Sequence, residues 1–264
     1  MEWWLGYLGI GAFVGFFAGL LGIGGGAVIV PLLVLLFSTQ GFPHEQVLHL
    51  AVGSSMATIL FTSAASVRAH AKRGAVRWDV ARGLTPGIIL GGLAGSVAAS
   101  AVSTPVLATA FTAIVYVAGT NILLDRQPRP GRTLPRAAGM LLAGFIISGV
   151  SALVALGGAF MSVPFMIWCN VSVRQAIGTA AFIGFPIALV GTIGYVLTGW
   201  GASALPQWSL GYVYLPAVVG VCASSIVLAP LGARVSHGLP TRMLKRIFGV
   251  LLLAFATRML ISLL

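Results

Sequence analysis

Apolar residues come in long unbroken runs, and polar residues are confined to the short stretches between them. A span needs about 20 apolar residues to cross a bilayer. Runs of that size cover residues 3–22, 49–71, 84–102, 105–124, 137–156, 174–199, 212–233 and 247–264. Two shorter runs, 27–38 and 160–170, each follow a glycine cluster and contain one proline, Pro31 or Pro164. Each reads as a short helix inside the membrane, or as half of one. The pattern predicts an all-α, polytopic integral membrane protein. The opening residues MEWWLGYLGIGAF have no basic leader and no small-residue cleavage pattern, so they read as a first span.

The polar stretches set the orientation. Lys72, Arg73, Arg77 and Arg82 form one basic loop, Arg126, Arg129, Arg132 and Arg136 a second, and Arg234, Arg242, Lys245 and Arg246 a third. Segments 39–48 and 200–211 contain no Lys or Arg. Basic loops stay in the cytoplasm, so these three are expected there. An even number of crossings must separate the second and third. Three long runs lie between them, so the short run 160–170 must cross as well. The same logic for 27–38 gives five crossings per half, with both termini outside.

Composition agrees. Of 264 residues, 58% are hydrophobic and 7% charged, and mean hydropathy is +1.04. Soluble domains carry roughly 25% charged residues, so this chain cannot cover itself with a polar surface. The net charge of +11 would suggest nucleic acid in a soluble protein. Here the cations cluster between apolar runs, which excludes nucleic acid and makes membrane lipid the surrounding partner. Trp3, Trp4, Trp78, Trp200 and Trp208 sit near run ends, as an interfacial belt would. Cys169 and Cys222 are far apart and form no metal or redox spacing.

The two halves, 1–132 and 133–264, repeat. At an offset of 133, Gly11, Gly15, Gly19, Gly22, Gly24, Gly25, Gly26 and Pro31 fall on Gly144, Ser148, Ala152, Ala155, Gly157, Gly158, Ala159 and Pro164. At an offset of 125, HLAVGS at 49–54 falls on RQAIGT at 174–179. FTAIVYVAGTNIL at 111–123 resembles FGVLLLAFATRML at 248–260. Five crossings per half give the copies opposite orientations, the inverted-repeat pattern of secondary transporters.

GFFAGLLGIGGGAVIVPLL at 15–33 resembles the opening motif of the sulfite exporter TauE/SafE family of membrane permeases. HLAVGSSMATILFTSAASVRAHAKRGAVRWD at 49–79 resembles that family's next signature, and GVSALVALGGAFMSVP with AIGTAAFIGFP is similar to its repeated copy. The resemblance covers nearly the whole chain. It implies a permease of the cytoplasmic membrane that moves small sulfur-containing anions such as sulfite or sulfoacetate. The second copy departs from the glycine pattern, with Ala155 and Ala159 where the first has Gly22 and Gly26.

The residues themselves favour an anion. Glu2, Glu45, Asp79 and Asp125 all lie in loops or at termini, leaving no carboxylate at membrane depth for a cation. Glycines Gly24, Gly25, Gly26, Gly157 and Gly158 free the backbone just before the two short helices, whose starts carry free N–H groups and partial positive charge. Their competing role is close helix packing, the expected one for Gly11, Gly15 and Gly19. Ser54, Ser55 and Thr179 are matched hydroxyls that can donate to a sulfonate or bond back to their own helices. Arg258 lies mid-run in the last segment and can clamp a sulfonate or reach the interface. Its repeat partner is Asn121. His49 and Arg174 are matched at run starts and are expected at the interface.

No catalytic set, metal cluster or nucleotide loop is present, so no enzyme activity and no cofactor is expected; GIGGG lacks the Gly-Lys-Ser/Thr of a phosphate-binding loop. A carrier working by alternating access is expected, with an anion-selective channel as the competing reading and a homo-oligomer compatible with either.

Overall fold

The computed structural model of the protein describes residues 2–21, 26–72, 74–124, 130–236 and 241–263. Its described residues form ten α-helices: α1 (Glu2–Leu21), α2 (Gly26–Thr39), α3 (Val47–Lys72), α4 (Trp78–Ser100), α5 (Thr104–Leu124), α6 (Ala137–Val154), α7 (Ala159–Trp168), α8 (Val173–Gly199), α9 (Leu215–Ser236) and α10 (Thr241–Leu263). Among the described residues, six segments are long and apolar enough to cross a membrane: Val47–Arg68, Trp78–Ser100, Thr104–Leu124, Ala137–Val154, Val173–Gly199 and Arg246–Leu263. The short runs form separate helices, as expected. With 14 residues in α2 and 10 in α7, they extend about 21 and 15 Å, less than the roughly 30 Å of a hydrocarbon core.

One element was not expected. Ser209–Leu210 (β1) pairs antiparallel with Val213–Tyr214 (β2). The apolar run from 212 therefore opens as a hairpin, and its helix begins only at Leu215. Gly211, at φ +56°, reverses the chain, and Tyr212 N–H donates to the Tyr195 carbonyl at 3.1 Å. Pro216 then falls in the first turn of α9, where its missing N–H costs no helical bond.

Each long helix buries one side and offers the other to lipid. On α4, Leu84, Ile88 and Ala99 are buried, while Ile89, Leu90, Leu93 and Val97 are exposed. On α6, Ile147 is buried and Leu142, Phe145 and Ile146 are exposed. Small residues set the approach of the helices. A Cβ on Gly11 would collide with the Val221 carbonyl of α9, and one on Gly144 with the Leu84 carbonyl of α4. Gly15 likewise faces the Ser225 backbone. Gly11 and Gly15 thus serve close helix packing.

Accordingly α1 lies along α9, α4 along α6, α3 along α8 and α5 along α10. The main core joins α2, α3, α5 and α10 through Leu33, Phe37, Leu48, Met56, Phe111 and Leu252, and a second core joins α4, α6, α7 and α8. Trp3, Trp4, Trp78, Trp200 and Trp208 all stand on the surface.

Candidate functional site

The site grows out of two chain breaks. Helix α6 stops at Val154 because Ala155 turns left-handed, at φ 46° and ψ 34°. A residue with a Cβ is strained there; the matching position in the first half holds Gly22. The last carbonyls of α6 lose their helical partners. Tyr195, fully buried on α8, donates its hydroxyl to one of them, the Ala152 carbonyl, at 2.8 Å.

The Ala155 carbonyl faces the start of α2. A Cβ on Gly26 would collide with that oxygen and with Ile59 Cδ1 of α3. Only glycine lets the start of α2 come this close. The Gly26 carbonyl in turn lies 3.5 Å from the Ser55 hydroxyl. Gly26 to Pro31 are all buried, so a helix start, whose first N–H groups have no intrahelical partner, lies inside the protein rather than at its surface.

The helix that follows the 155–158 break, α7, is less enclosed than the start of α2. Gly158 packs against Ile183, Gly184 and Ile187 of α8. On α7 only Ser162, Met166 and Ile167 are buried. Ser162, in the first turn, is fully buried, and its hydroxyl has no hydrogen-bond partner among the described residues. Gly26 and Gly158 flank equivalent points of the central pair: Ile59 on α3 is matched by Gly184 on α8 at the offset of 125.

Gly26, Ser55 and the 155–158 break are thus brought together. Gly24 and Gly25 lie outside the described residues, and Gly157 is half-buried beside Gly158. Ser54 and Thr179 are fully buried but already engaged. The Ser54 hydroxyl accepts the Tyr214 N–H at 2.9 Å, and the Thr179 hydroxyl accepts the Arg77 N–H at 2.9 Å. Each retains its own proton to donate. Arg258 stands apart, on the exposed side of α10, and Asn121 is exposed on α5.

His49, expected at the interface, is buried: its Nε2–H donates to the Ala99 carbonyl at 3.0 Å and its ring lies 5.2 Å from that of Tyr212. A carbonyl only accepts, so the proton is on Nε2. Arg174 is exposed.

The acids with described side chains are Glu45 and Asp79. Both are exposed, and Asp79 pairs with Arg77. The junction therefore offers backbone N–H groups and hydroxyls, with no carboxylate among the described side chains beside them. Such a set can satisfy several acceptor oxygens of a small anion. Sequence reasoning missed Tyr195, Ala155 and Ser162. Tyr195 carried a signal, as a phenol deep in an apolar run must find a partner when buried.

The model of the family described as sulfite exporter TauE/SafE matches residues 7–259. The chain belongs to the TauE/SafE family. It is 34% identical to a "Probable membrane transporter protein" of Haemophilus influenzae over 254 residues, 96% of each chain. A probable membrane transporter protein of Bacillus subtilis is 26% identical, over 88% of this chain and 90% of that one. One from Methanocaldococcus jannaschii is 24% identical, over 92% and 91%. No solved structure matches. This TauE/SafE protein is a multi-pass membrane transporter, and in this TauE/SafE chain the glycine-led starts of α2 and α7 are the features that set it apart from a plain helix bundle.

Proposed function

We propose that this protein is a secondary carrier for small sulfur-containing anions, such as sulfite or sulfoacetate, in the cytoplasmic membrane. The substrate sits where the two breaks meet, held by the N–H groups at the start of α2 and by the hydroxyls of Ser55 and Ser162. The observation that carries this reading is the contact of Gly26 with the Ala155 carbonyl, which brings a buried helix start against a second chain break. Gly24, Gly25, Gly157 and Gly158 complete the lining, while Ser54 and Thr179 stand at the two ends of the central helices, engaged with the Tyr214 and Arg77 N–H groups. Arg258 serves the interface instead.

The two halves are read as inverted repeats that rock around this site, with the basic loops inside and the termini outside. Matched contacts support that reading. Gly53 meets the Tyr212 carbonyl and Gly178 the Ala75 carbonyl; Gly11 meets Val221 and Gly144 meets Leu84. One set of offsets, 125 or 133 on one side and 137 on the other, converts each contact into its mate.

Reconstituted protein tests the proposal. Liposomes preloaded with unlabelled sulfite should take up labelled sulfite transiently above equilibrium, with a rate that saturates. Linear, non-saturating flux with no counterflow would show a channel; no flux of sulfite, sulfoacetate or thiosulfate would refute the substrate class.

A further inference from the structure

We propose that Ser54 and Thr179 are the latches of two gates, one at each end of the α3–α8 pair, that open in alternation. The proposal rests on the carrier reading above and adds its moving parts.

The two helices run antiparallel. Gly53 of α3 faces Tyr195 of α8, Met56 faces Gly191, and Ser63 faces Gly184. Extending that register sets Ser54 near one end of the pair and Thr179 near the other, about 20 Å apart at 1.5 Å per residue. The Gly26–Ala155 contact lies between them, beside Ile59.

Each hydroxyl holds the same kind of group. Tyr214 immediately precedes α9, and Arg77 immediately precedes α4. The bonds from their N–H groups to Ser54 and Thr179 therefore tie the residue just before a helix of one half to the central helix of the other half. The preceding residues, Gly53 and Gly178, admit the loop backbone but put no side chain across it. Three residues before each held N–H stands a left-handed glycine, Gly211 at φ +56° and Gly74 at φ +61°. These are suited to absorb a hinge rotation.

Each gate is thus one hydrogen bond, one glycine seat and one glycine hinge, and a single neutral bond is weak enough to open and reclose. The loop at the Ser54 latch follows the cation-free stretch 200–211, and the loop at the Thr179 latch carries Arg77 beside Lys72 and Arg73. The latches therefore serve opposite membrane faces.

Two positions report on them. Native Cys222 packs with Ala57, Val213 and Val218 behind the Ser54 latch. Thr85 is its counterpart behind the Thr179 latch, each lying eight residues past the held N–H. The test uses sided vesicles, a membrane-impermeant maleimide and a Cys169→Ser background. Ser54→Ala should raise Cys222 labelling about fivefold, the worth of one lost hydrogen bond, from the cation-free face alone.

Thr179→Val, with Thr85→Cys and Cys222→Ser, should do the same from the basic face alone. Ser54→Thr and Thr179→Ser should restore the original rates. With both latches intact, a bulky maleimide on Cys222 should wedge that gate open and suppress labelling at Thr85→Cys. This arm holds if a latch variant does not fold.

Labelling that rises from both faces, does not change, or reaches completion at both reporters in one molecule overturns the proposal. The readout needs no substrate. A wrong anion therefore leaves it standing, and a failed latch leaves the anion site standing.

Discussion

Gly26 has no room for a methyl group. Its hypothetical Cβ would strike a backbone carbonyl, which cannot rotate away, as well as the end of Ile59. At Gly158 the nearest obstacle is Ile187 Cδ1, the flexible end of a side chain. Overpacking of this kind costs about 1–3 kcal/mol. Gly26→Ala should reach the membrane, lose stability in that range and lose anion uptake. Gly158→Ala should lose markedly less of both. Thermal unfolding in detergent together with uptake in liposomes checks the ranking, and equal effects at the two sites would remove Gly26 from the junction.

The glycine triplet marked this neighbourhood in the sequence. What makes Gly26 necessary was not legible, because the Ala155 carbonyl comes from the other half of the chain and is a backbone atom. Ser54 and Thr179 were legible as a matched pair. Their acceptor role was not, since their partners are backbone N–H groups far along the chain.

At the scale of elements, the break after α6 is held by a bond that helix pattern alone does not reveal. Tyr195 caps an orphan carbonyl of α6 from within α8. Tyr195→Phe keeps the ring and leaves the Ala152 carbonyl buried and unpaired, a cost of about 1–3 kcal/mol. The expected result is a lower unfolding midpoint and faster hydrogen exchange over 151–158; unchanged exchange there would show that the cap is idle.

The long helices were readable because lipid demands length and apolarity, and both are local properties. The hairpin at 209–214 was not, because Tyr212, Val213 and Tyr214 are as apolar as the helix that follows. The turn is set by Gly211 and by tertiary bonds from Tyr212 to Tyr195 and from Tyr214 to Ser54. The short helices were legible as interruptions. Their different burial, with the start of α2 enclosed and α7 half-exposed, follows from packing between halves.

At the scale of the whole molecule, electrostatics govern which ligand the junction suits. The junction offers helix starts and hydroxyls, and neither described acid is buried near it. Each helix start contributes about half a positive charge. On the proposed reading, a sulfonate or sulfite oxyanion would find several donors there, whereas a cation of the same size would meet like-signed dipole ends. Calorimetry on purified protein tests this most directly, titrating sulfite, sulfoacetate and a small cationic amine into the native chain and into Gly26→Ala. The expected result is saturable binding of at least one sulfur oxyanion to the native chain, at least tenfold weaker binding in Gly26→Ala, and no binding of the amine. Equal affinity for the amine, or oxyanion binding untouched by Gly26→Ala, would contradict it.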